Sequence, residues 1–189
     1  MESVFIISSS EKGISLLSEL LKSCAQAAVT IAKSGGEARR IIAESDFDLV
    51  IINAPLSDEF GADLASMISE ASVAGVILIV KNEIADEVSA RVEAEGIFVL
   101  PKPVSRPFFY QAFRLVEASR RRILGLKQEN VKLQTKIEEI RLIDRAKCVL
   151  IQYLNMTEPA AHRYIEKQAM DMRSTRKEIA ENILKTYEM

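Results

Sequence analysis

The chain has 189 residues, of which 48% are hydrophobic, and carries a formal net charge of −2 at pH 7. This length accommodates one ordinary domain and a smaller one, with enough apolar residues for a packed core. No apolar run approaches the roughly 18 residues of a transmembrane helix, and the N-terminus lacks the basic-then-apolar order of a signal peptide. The sequence therefore predicts a cytoplasmic protein with no membrane partner.

Residues that could perform chemistry are few and scattered. Cys24 and Cys148 lie far apart without metal-ligand spacing, and we expect both to be reduced thiols in the core. The single histidine, His162, cannot form a metal site or a catalytic triad alone, and no paired carboxylates or Ser–His arrangement accompanies it. We therefore expect a protein that is not an enzyme and that holds no metal and no cofactor.

The two halves of the chain differ in charge. Residues 1–106 contain 9 Lys and Arg against 16 Asp and Glu, a net charge of −7, whereas residues 107–189 contain 16 against 11, a net charge of +5. An acidic first half and a basic second half are expected when one end of a protein meets nucleic acid. The same excess of Lys and Arg would also arise if these side chains only formed a solvent-exposed helix face.

Five short apolar runs alternate with stretches of helical periodicity in the first half. The runs are residues 4–7, 28–31, 48–53, 75–80 and 96–100. Uninterrupted apolar strands that alternate with helices form a parallel sheet covered on both faces, so the sequence predicts an α/β domain. No Gly-rich phosphate loop opens any of the helices.

This alternation, the apolar run 49–52 after Asp48, and the Lys102-Pro103 pair after the fifth run resemble the receiver domain of two-component response regulators. The resemblance implies a (βα)5 flavodoxin-like fold over about residues 1–106. Receivers hold Mg²⁺ with an acidic pair after strand one and accept phosphate on an Asp at the end of strand three. They also use a Ser or Thr after strand four and a Lys after strand five, whose bond to the next Pro is cis.

Most of those site positions are altered in this chain. The acidic-pair positions hold Ser8 and Ser9, the phosphoacceptor position holds Asn53, and the Ser or Thr position falls within the Val-Lys pair 80–81. Only Lys102 is retained. Neutral hydroxyls bind a hard dication poorly without carboxylates, and an amide nitrogen is no nucleophile for phosphoryl transfer. The sequence therefore predicts a pseudo-receiver that is not phosphorylated.

The segment 107–154 contains one glycine and, after its first residue, no proline, which favours one long helix. Its apolar residues repeat at heptad spacing, so we predict a homodimeric coiled coil over a linker at 107–137. The predicted seam residues are Val116, Ile123, Asn130 and Ile137 at a positions and Leu126, Leu133 and Ile140 at d positions. Asn130 favours two strands in fixed register, whereas the flanking charges leave parallel and antiparallel pairing open. The alternative is a helix that caps its own N-terminal domain.

Helix signals continue after the long helix. Thr157 can cap a second helix with Pro159 in its first turn, and Thr175 with Glu178 fits a capping box for a third. Three helices of this size bury one small common core, so the sequence predicts an all-α domain over residues 138–189.

This C-terminal arrangement resembles the ANTAR domain of transcription antitermination regulators, such as those governing amidase, nitrate and ethanolamine utilisation. The matching residues are Arg141, Ala146-Lys147, Thr157-Glu158, Ala161, Gln168-Ala169-Met170, Arg173, Ile179-Ala180 and Ile183-Leu184. Cys148 is a departure, because the family usually has Gly after Ala-Lys. The order of pseudo-receiver, coiled coil and ANTAR domain is itself the family's layout.

The resemblance implies binding of paired RNA hairpins in nascent leader transcripts. The candidate RNA-binding residues are Arg141, Arg145, Lys147, Gln168, Arg173, Arg176 and Lys177. Lys147 and Arg173 rank first because they match the family pattern and lie near helix ends. By charge alone Lys167 could contact phosphate, and Tyr153 or His162 could stack on an unpaired base. Each charge could equally belong to a solvated helix face.

Two other functions stay open from the sequence. In a DNA-binding response regulator the last three helices would mimic a helix-turn-helix, but the turn 171–174 lacks Gly and the last helix carries few base-reading side chains. In an interaction adaptor the acidic first domain would dock a regulatory protein partner. Such a partner is also compatible with the RNA-binding hypothesis, since something must replace phosphorylation.

Overall fold

The computed structural model describes residues 1–187, in two compact units: residues 1–125, and a second unit that begins at Leu126. The elements of the first unit are β1 (Ser3–Ile7), α1 (Glu11–Lys22), β2 (Ala28–Ala32), α2 (Gly35–Glu44), β3 (Leu49–Asn53), α3 (Ala62–Ala71), β4 (Gly75–Lys81), α4 (Ala85–Val92) and β5 (Phe98–Lys102). They are followed by α5 (Arg106–Leu154), α6 (Glu158–Asp171) and α7 (Arg176–Tyr187). Within this part of the chain, no helix has both the length and the hydropathy that crossing a membrane requires.

The five strands form one parallel sheet in the order β2-β1-β3-β4-β5. Parallel neighbours need crossover connections, and the intervening helices supply them while covering both faces of the sheet. This strand order is that of flavodoxin-like folds. The predicted (βα)5 fold is confirmed, and the Lys102-Pro103 bond is cis, as the resemblance implied.

Alternating side chains of the strands fill two cores, one on each face of the sheet. In β1, Phe5 and Ile7 belong to one core, whereas Val4 and Ile6 belong to the other, and all four are fully buried. The period of two follows from the pleat of a strand. Burial of each such side chain stabilises the fold by about 1.5–3 kcal/mol.

The first turns of α5 belong to the second of these cores. Phe109, Phe113 and Val116 are 0%, 1% and 6% exposed and pack with strand residues. A Cβ atom on Gly75 would lie only 2.2 Å from Val116 Cγ1. Val116, predicted as a seam residue, therefore packs inside its own unit and drops out of the proposed seam. A core-facing helical stripe and a heptad seam share their i, i+3, i+4 and i+7 spacing, so the sequence could not separate them.

The second unit has its own core, closed by the end of α5, α6 and α7. Its buried residues are Ala146, Val149, Leu150, Ala161, Ile165, Ala169, Ile179, Ala180, Ile183 and Leu184. The predicted caps are present: Thr157 Oγ1 accepts a hydrogen bond from the Ala160 amide, and Thr175 and Glu178 bond each other reciprocally at 2.8 and 3.2 Å. The predicted all-α three-helix arrangement is confirmed.

Neither cysteine lies fully in a core. Cys148 is exposed, which contradicts the prediction, because Ala146, Val149 and Leu150 define the buried side of α5 and residue 148 points away from it. Cys24 is partly buried and packs against the core that contains Leu20.

A polar network ties α5 to the start of the sheet. Asp48 Oδ2 accepts hydrogen bonds from the amides of Glu2 and Ser3 at 2.5 and 3.2 Å, and Asp48 Oδ1 lies 2.5 Å from Arg120 Nη2. Burial acts to raise the pKa of Asp48, but the two amides and the Arg120 charge outweigh it and hold that pKa below the ordinary 3.8. The ionised carboxylate therefore stabilises the folded unit.

Asp48→Asn should reduce the free energy of unfolding of the full chain by about 1–2 kcal/mol at neutral pH. Because the folded pKa is depressed, the carboxylate's contribution is complete above the unfolded pKa and is lost as the pH falls through the folded pKa. Urea unfolding near pH 7 and near pH 3 should show the wild-type and variant stabilities converging at the acid pH. Asp46→Asn is the control, since Asp46 is exposed. An equal difference at both pH values would contradict the prediction.

Candidate functional site

The altered receiver site lies at the carboxyl ends of the strands. Ser8 follows β1 and is fully buried, Asn53 ends β3, and Lys102 ends β5. Asn53 Nδ2 donates a hydrogen bond to Ser8 Oγ at 2.9 Å. Ser9 is exposed, and its hydroxyl lies 3.4 Å from the Pro55 carbonyl oxygen. The fold thus places the predicted positions at one edge of the sheet and joins two of them directly.

The first turn of α1 closes tightly over the Asn53–Ser8 pair. A Cβ atom on Gly13 would lie 2.4 Å from Asn53 Nδ2 and 3.0 Å from Ser8 Oγ. A larger side chain at residue 13 would therefore displace the amide. This close backbone approach, together with the hydrogen bond, holds Asn53 in place.

Lys102 is directed at the main chain. Its Nζ atom donates a hydrogen bond to the Ala54 carbonyl oxygen at 2.6 Å. Burial, and to a lesser degree the charge of Lys81, lower the pKa of Lys102. The surrounding groups are thus an amide, hydroxyls and a carbonyl, which are poor ligands for a hard dication when no carboxylate joins them. Within residues 1–187, no group of three or more His, Cys, Asp or Glu side chains could hold a metal ion.

Asp58, the next carboxylate after β3, serves another role. Its two oxygens accept hydrogen bonds from the Gly35 and Gly36 amides at 2.8 and 2.9 Å, and these bonds lower the pKa of Asp58. Arg39 and Glu59 pair beside it. Because amides at a helix N-terminus stabilise a negative charge, the loop after β3 is fastened to the start of α2.

A separate cavity of about 720 Å³ lies near the opposite ends of β4 and β5. Its lining includes Gly75, Phe98, Leu115, Ser119 and Ile123. The cavity contains none of the altered receiver positions, so it is distinct from the phosphate site of receivers.

Lys147 is engaged inside the second unit. Its Nζ atom lies 2.8 Å from Asp144 Oδ1 and 3.0 Å from Glu158 Oε1, and its side chain is 16% exposed. The two carboxylates raise the pKa of Lys147. Lys147 therefore joins α5 to the first turn of α6, and an incoming phosphate would have to compete with two carboxylates for it.

Two further predicted cations are also paired. Arg176 Nη1 lies 3.4 Å from Glu166 Oε1, and His162 Nε2 lies 3.2 Å from the same oxygen. Lys177 Nζ lies 4.0 Å from Glu181 Oε1. Lys147, His162 and Arg176 line one shallow hollow of about 200 Å³. The structure thus brings together some of the predicted RNA-binding residues, but in a place where acidic side chains accompany them.

Arg173 lies in the turn after α6 with a positive φ of 50°. The Ser174 amide donates to the Ala169 carbonyl at 3.0 Å and the Arg173 amide to the Met170 carbonyl at 3.3 Å, which is a Schellman motif. Its left-handed position usually belongs to Gly, and an L-residue there costs roughly 1–2 kcal/mol. The Arg173 side chain is exposed, as are Arg141 and Arg145, whereas Gln168 is half-buried.

The remaining predicted seam residues share one property, which is exposure of an apolar side chain along α5. Ile123, Leu126, Leu133, Ile137 and Ile140 are between 49% and 57% exposed. Asn130 is exposed among them. Half-exposed aliphatic residues at heptad spacing are what a coiled-coil helix shows before its partner is added.

Sequence reasoning missed one set of exposed side chains in the second unit. The α6 outer face, as we name it, consists of Arg163, Tyr164, Lys167 and Met170. The sequence pointed to Lys167 as a possible phosphate contact and to Met170 only as a match to the family pattern. The signal was present in the sequence: these residues lie at i, i+1, i+4 and i+7 spacing, out of phase with the buried Ala161, Ile165 and Ala169.

Comparison with known proteins identifies both units. Residues 4–114 match the response regulator receiver domain, and residues 131–184 match the ANTAR domain. The chain is 32% identical over 170 residues to the transcriptional regulatory protein PdtaR of Mycobacterium tuberculosis, strains CDC 1551 / Oshkosh and ATCC 25618 / H37Rv, covering 90% of this chain and 83% of PdtaR.

Solved receiver structures resemble the first unit. A response regulator receiver domain protein from Clostridium thermocellum has a TM-score of 0.57 at 20% identity, covering 66% of this chain and 99% of that chain. The non-phosphorylated HemR receiver domain from Leptospira biflexa has a TM-score of 0.54 at 25% identity, covering 62% of this chain and 94% of that one. These likenesses establish the fold of the unit and leave its chemistry to the residues described above.

Incubation of the full chain with acetyl phosphate and Mg²⁺ should add no phosphate. Asn53 offers no carboxylate nucleophile, and Ser8 and Ser9 offer no charged metal ligands. Intact-mass spectrometry and sedimentation should both give the values of untreated protein. A receiver that retains the acidic pair and the acceptor Asp serves as the positive control, and a stoichiometric phosphoprotein here would contradict the prediction.

Proposed function

Because the chain belongs to the transcriptional response regulators that join a receiver domain to an ANTAR domain, we propose that it is a dimeric RNA-binding antitermination regulator. It acts on hairpins in nascent leader transcripts. Its parts are a pseudo-receiver at about 1–106, a coiled-coil linker at about 107–137 and an RNA-binding domain at about 138–189. The buried turns of α5 extend the core of the first part beyond residue 106.

The observation that carries the proposal is the folded three-helix unit that matches the ANTAR domain in the basic half of the chain. Phosphate contacts by Lys and Arg release counterions and supply most of the sequence-independent affinity for nucleic acid. Arg141 and Arg173 are exposed cations of this unit and the best placed of the predicted contacts. Lys147, Arg176 and Lys177 would contribute less, because acidic neighbours already pair with them.

Dimerisation is proposed through the exposed stripe from Ile123 to Ile140 on α5. Pairing two such stripes removes apolar surface from water at about 25 cal/mol per Å². A dimer also presents two RNA-binding units at once, and the second hairpin is then engaged at high effective concentration. A single unit that binds one hairpin would not have this increase in effective concentration, so its affinity would be lower.

Control of the protein is proposed to come from a regulatory protein partner of the pseudo-receiver. Asn53, Ser8 and Lys102 satisfy one another or the main chain, so the former site supports no phosphate-driven switch. The acidic surface of residues 1–106 offers charge for such a partner.

The proposed function is tested by the affinity of the full chain for RNA with two short hairpins, compared with duplex DNA of equal length at equal salt. We expect tighter binding to the RNA, with an affinity that falls as salt rises. Preference for the duplex would support a DNA-binding response regulator instead. Binding to neither nucleic acid would favour the adaptor function.

Arg173→Gly provides the sharpest variant for that measurement. Gly accepts the left-handed turn without strain, so the fold should keep its stability to within about 1 kcal/mol. The variant should bind the RNA more weakly, and the slope of log affinity against log salt should become shallower by roughly 0.7–0.9. The control should remove one positive charge elsewhere without altering the backbone. Lys81→Gln, at the exposed end of β4, does this, whereas Lys33→Gly would also change the backbone. Wild-type binding by Arg173→Gly would remove Arg173 from the contact surface.

The chain should sediment as a dimer at micromolar concentration, and Asn130→Leu should raise its thermal stability while relaxing the oligomeric state. A buried Asn in a seam costs stability but favours two strands in register, so an apolar residue there permits other assemblies. Gln128→Leu is the matched control, because residue 128 lies outside the a and d positions. A wild-type monomer at tens of micromolar would contradict the proposed seam.

A further inference from the structure

The cavity near the amino ends of β4 and β5 lies entirely within the first unit. Helix α5 contributes Leu115, Ser119, Arg120 and Ile123 to its lining, and the turn between α4 and β5 contributes Glu95. Its volume of about 720 Å³ falls in the range of roughly 300–1,000 Å³ that small-molecule sites occupy. The cavity therefore has room for an organic ligand.

Two polar atoms in the lining of this cavity are buried without a hydrogen-bond partner. They are Glu95 Oε2 and Arg120 Nε, and within residues 1–187 no other buried side-chain nitrogen or oxygen lacks a partner. Roughly 90% or more of buried polar groups in proteins are paired, because an unpaired one has lost its hydrogen bonds to water. Since both exceptions line the same cavity, they indicate a ligand that supplies one donor and one acceptor.

The fold holds both groups at the cavity. The Ser69 hydroxyl donates a hydrogen bond to the Glu95 carbonyl oxygen at 2.5 Å, and Gly96, with a φ of 75°, turns the chain from there into β5. Arg120 Nη2 lies 2.5 Å from Asp48 Oδ1, and the Arg120 side chain is 18% exposed. The guanidinium is thus fixed by its outer nitrogen, while its Nε–H is left for another acceptor.

The charges around the cavity favour a cation. Asp48 already neutralises Arg120, whereas the lining carboxylates Glu93 and Glu95 have no ion pair within 4 Å in the part of the chain that the structure describes. A positive group is therefore attracted, and a second negative group is repelled. Apolar side chains form much of the remaining lining, among them Ile97, Phe98, Val99, Leu115 and Val116.

We propose that this cavity binds a small organic amine that has an apolar, ring-containing body and one acceptor oxygen. The ammonium group donates to Glu95 Oε2, the oxygen accepts from Arg120 Nε, and the body packs against Phe98 and Leu115. Phe98 supplies the aromatic surface on which a ligand ring can pack. The site belongs to the first unit and does not depend on RNA binding by the second.

A ligand at this place would contact α5 at the last turns of the first unit. Leu115 and Ile123 line the cavity and are 58% and 49% exposed, so an occupant would cover apolar surface of the helix. A ligand that binds only the folded unit stabilises it by mass action. The unit would thereby receive a chemical input that its altered phosphate site cannot receive.

The experiment measures the binding of small probes to the full chain by saturation-transfer-difference NMR titration. L-Phenylalaninol has the ammonium group, the ring and an acceptor oxygen; phenethylamine lacks the oxygen, and 3-phenylpropanol lacks the ammonium group. L-Phenylalanine adds a carboxylate. We expect phenylalaninol to bind most tightly, and each probe that lacks one group to bind roughly fivefold to tenfold more weakly. Phenylalaninol should also raise the melting temperature of the chain.

Variants of the two unpaired groups should act on different probes. Glu95→Gln should weaken phenylalaninol and phenethylamine by roughly tenfold and leave 3-phenylpropanol unchanged, because only the first two bring a cation. Glu87→Gln is its control, since Glu87 is an exposed carboxylate of α4 outside the lining. Arg120→Lys keeps a cation for Asp48 but has no Nε–H, so it should weaken phenylalaninol and leave phenethylamine unchanged.

A third variant fills the cavity. Ser89→Leu enlarges a side chain of the lining and should weaken every probe, whereas Ala90→Leu, on the exposed side of the same helix, should weaken none. Thermal melts without probe check the fold of each variant. If Arg120→Lys melts early, Glu95→Gln and Ser89→Leu decide the result.

Three results would overturn the site: no binding of either amine by the wild-type chain, equal binding by Glu95→Gln and Glu87→Gln, or equal binding by Ser89→Leu and Ala90→Leu. Tighter binding of L-phenylalanine than of phenylalaninol would overturn the ligand class. RNA binding is measured without any probe, so failure of this site and failure of the proposed function are separate outcomes.

Discussion

One uninterrupted helix supplies side chains to two separate cores, and the rest of the structure depends on it. The first turns of α5 bury Phe109 and Phe113 in the receiver core, and Arg120 adds an ion pair to Asp48. The last turns contribute Ala146 and its neighbours to the three-helix core. Between these ends α5 has no core of its own, because its aliphatic residues are about half exposed. The middle of the helix is therefore the part whose stability an added partner would change most.

The receiver fold has kept its architecture while exchanging the electrostatics of its site. A cluster of carboxylates repels itself, so an intact receiver site is completed by a cation and altered by phosphate. Here a neutral amide donates to a neutral hydroxyl, Asn53 to Ser8, and Lys102 donates to a main-chain carbonyl. Asp58 is committed to the start of α2. With its polar groups already satisfied, this edge of the sheet needs no ligand to be stable.

Local chemistry made most of the fold predictable. Uninterrupted apolar runs and the caps at Thr157 and Thr175 act within a few residues, so the sequence alone located the strands and the C-terminal helices. Val116 was misassigned because a core stripe and a heptad seam have the same spacing. The sequence could not show that Lys147 also pairs with Glu158, because that carboxylate is eleven residues away on another helix and meets Lys147 only when the chain is folded. Tertiary pairing of charges is the information that a single sequence lacks.

That pairing changes how the basic half of the chain should be understood. A net charge of +5 over residues 107–189 treats every cation alike. In the folded unit Lys147 and Arg176 are compensated by carboxylates, and binding a phosphate there exchanges one ion pair for another. In the part of the chain that the structure describes, Arg163 and Lys167 have no carboxylate partner, so a phosphate there would displace only mobile counterions. The total charge of residues 107–189 therefore overstates how many cations stay uncompensated in the folded unit.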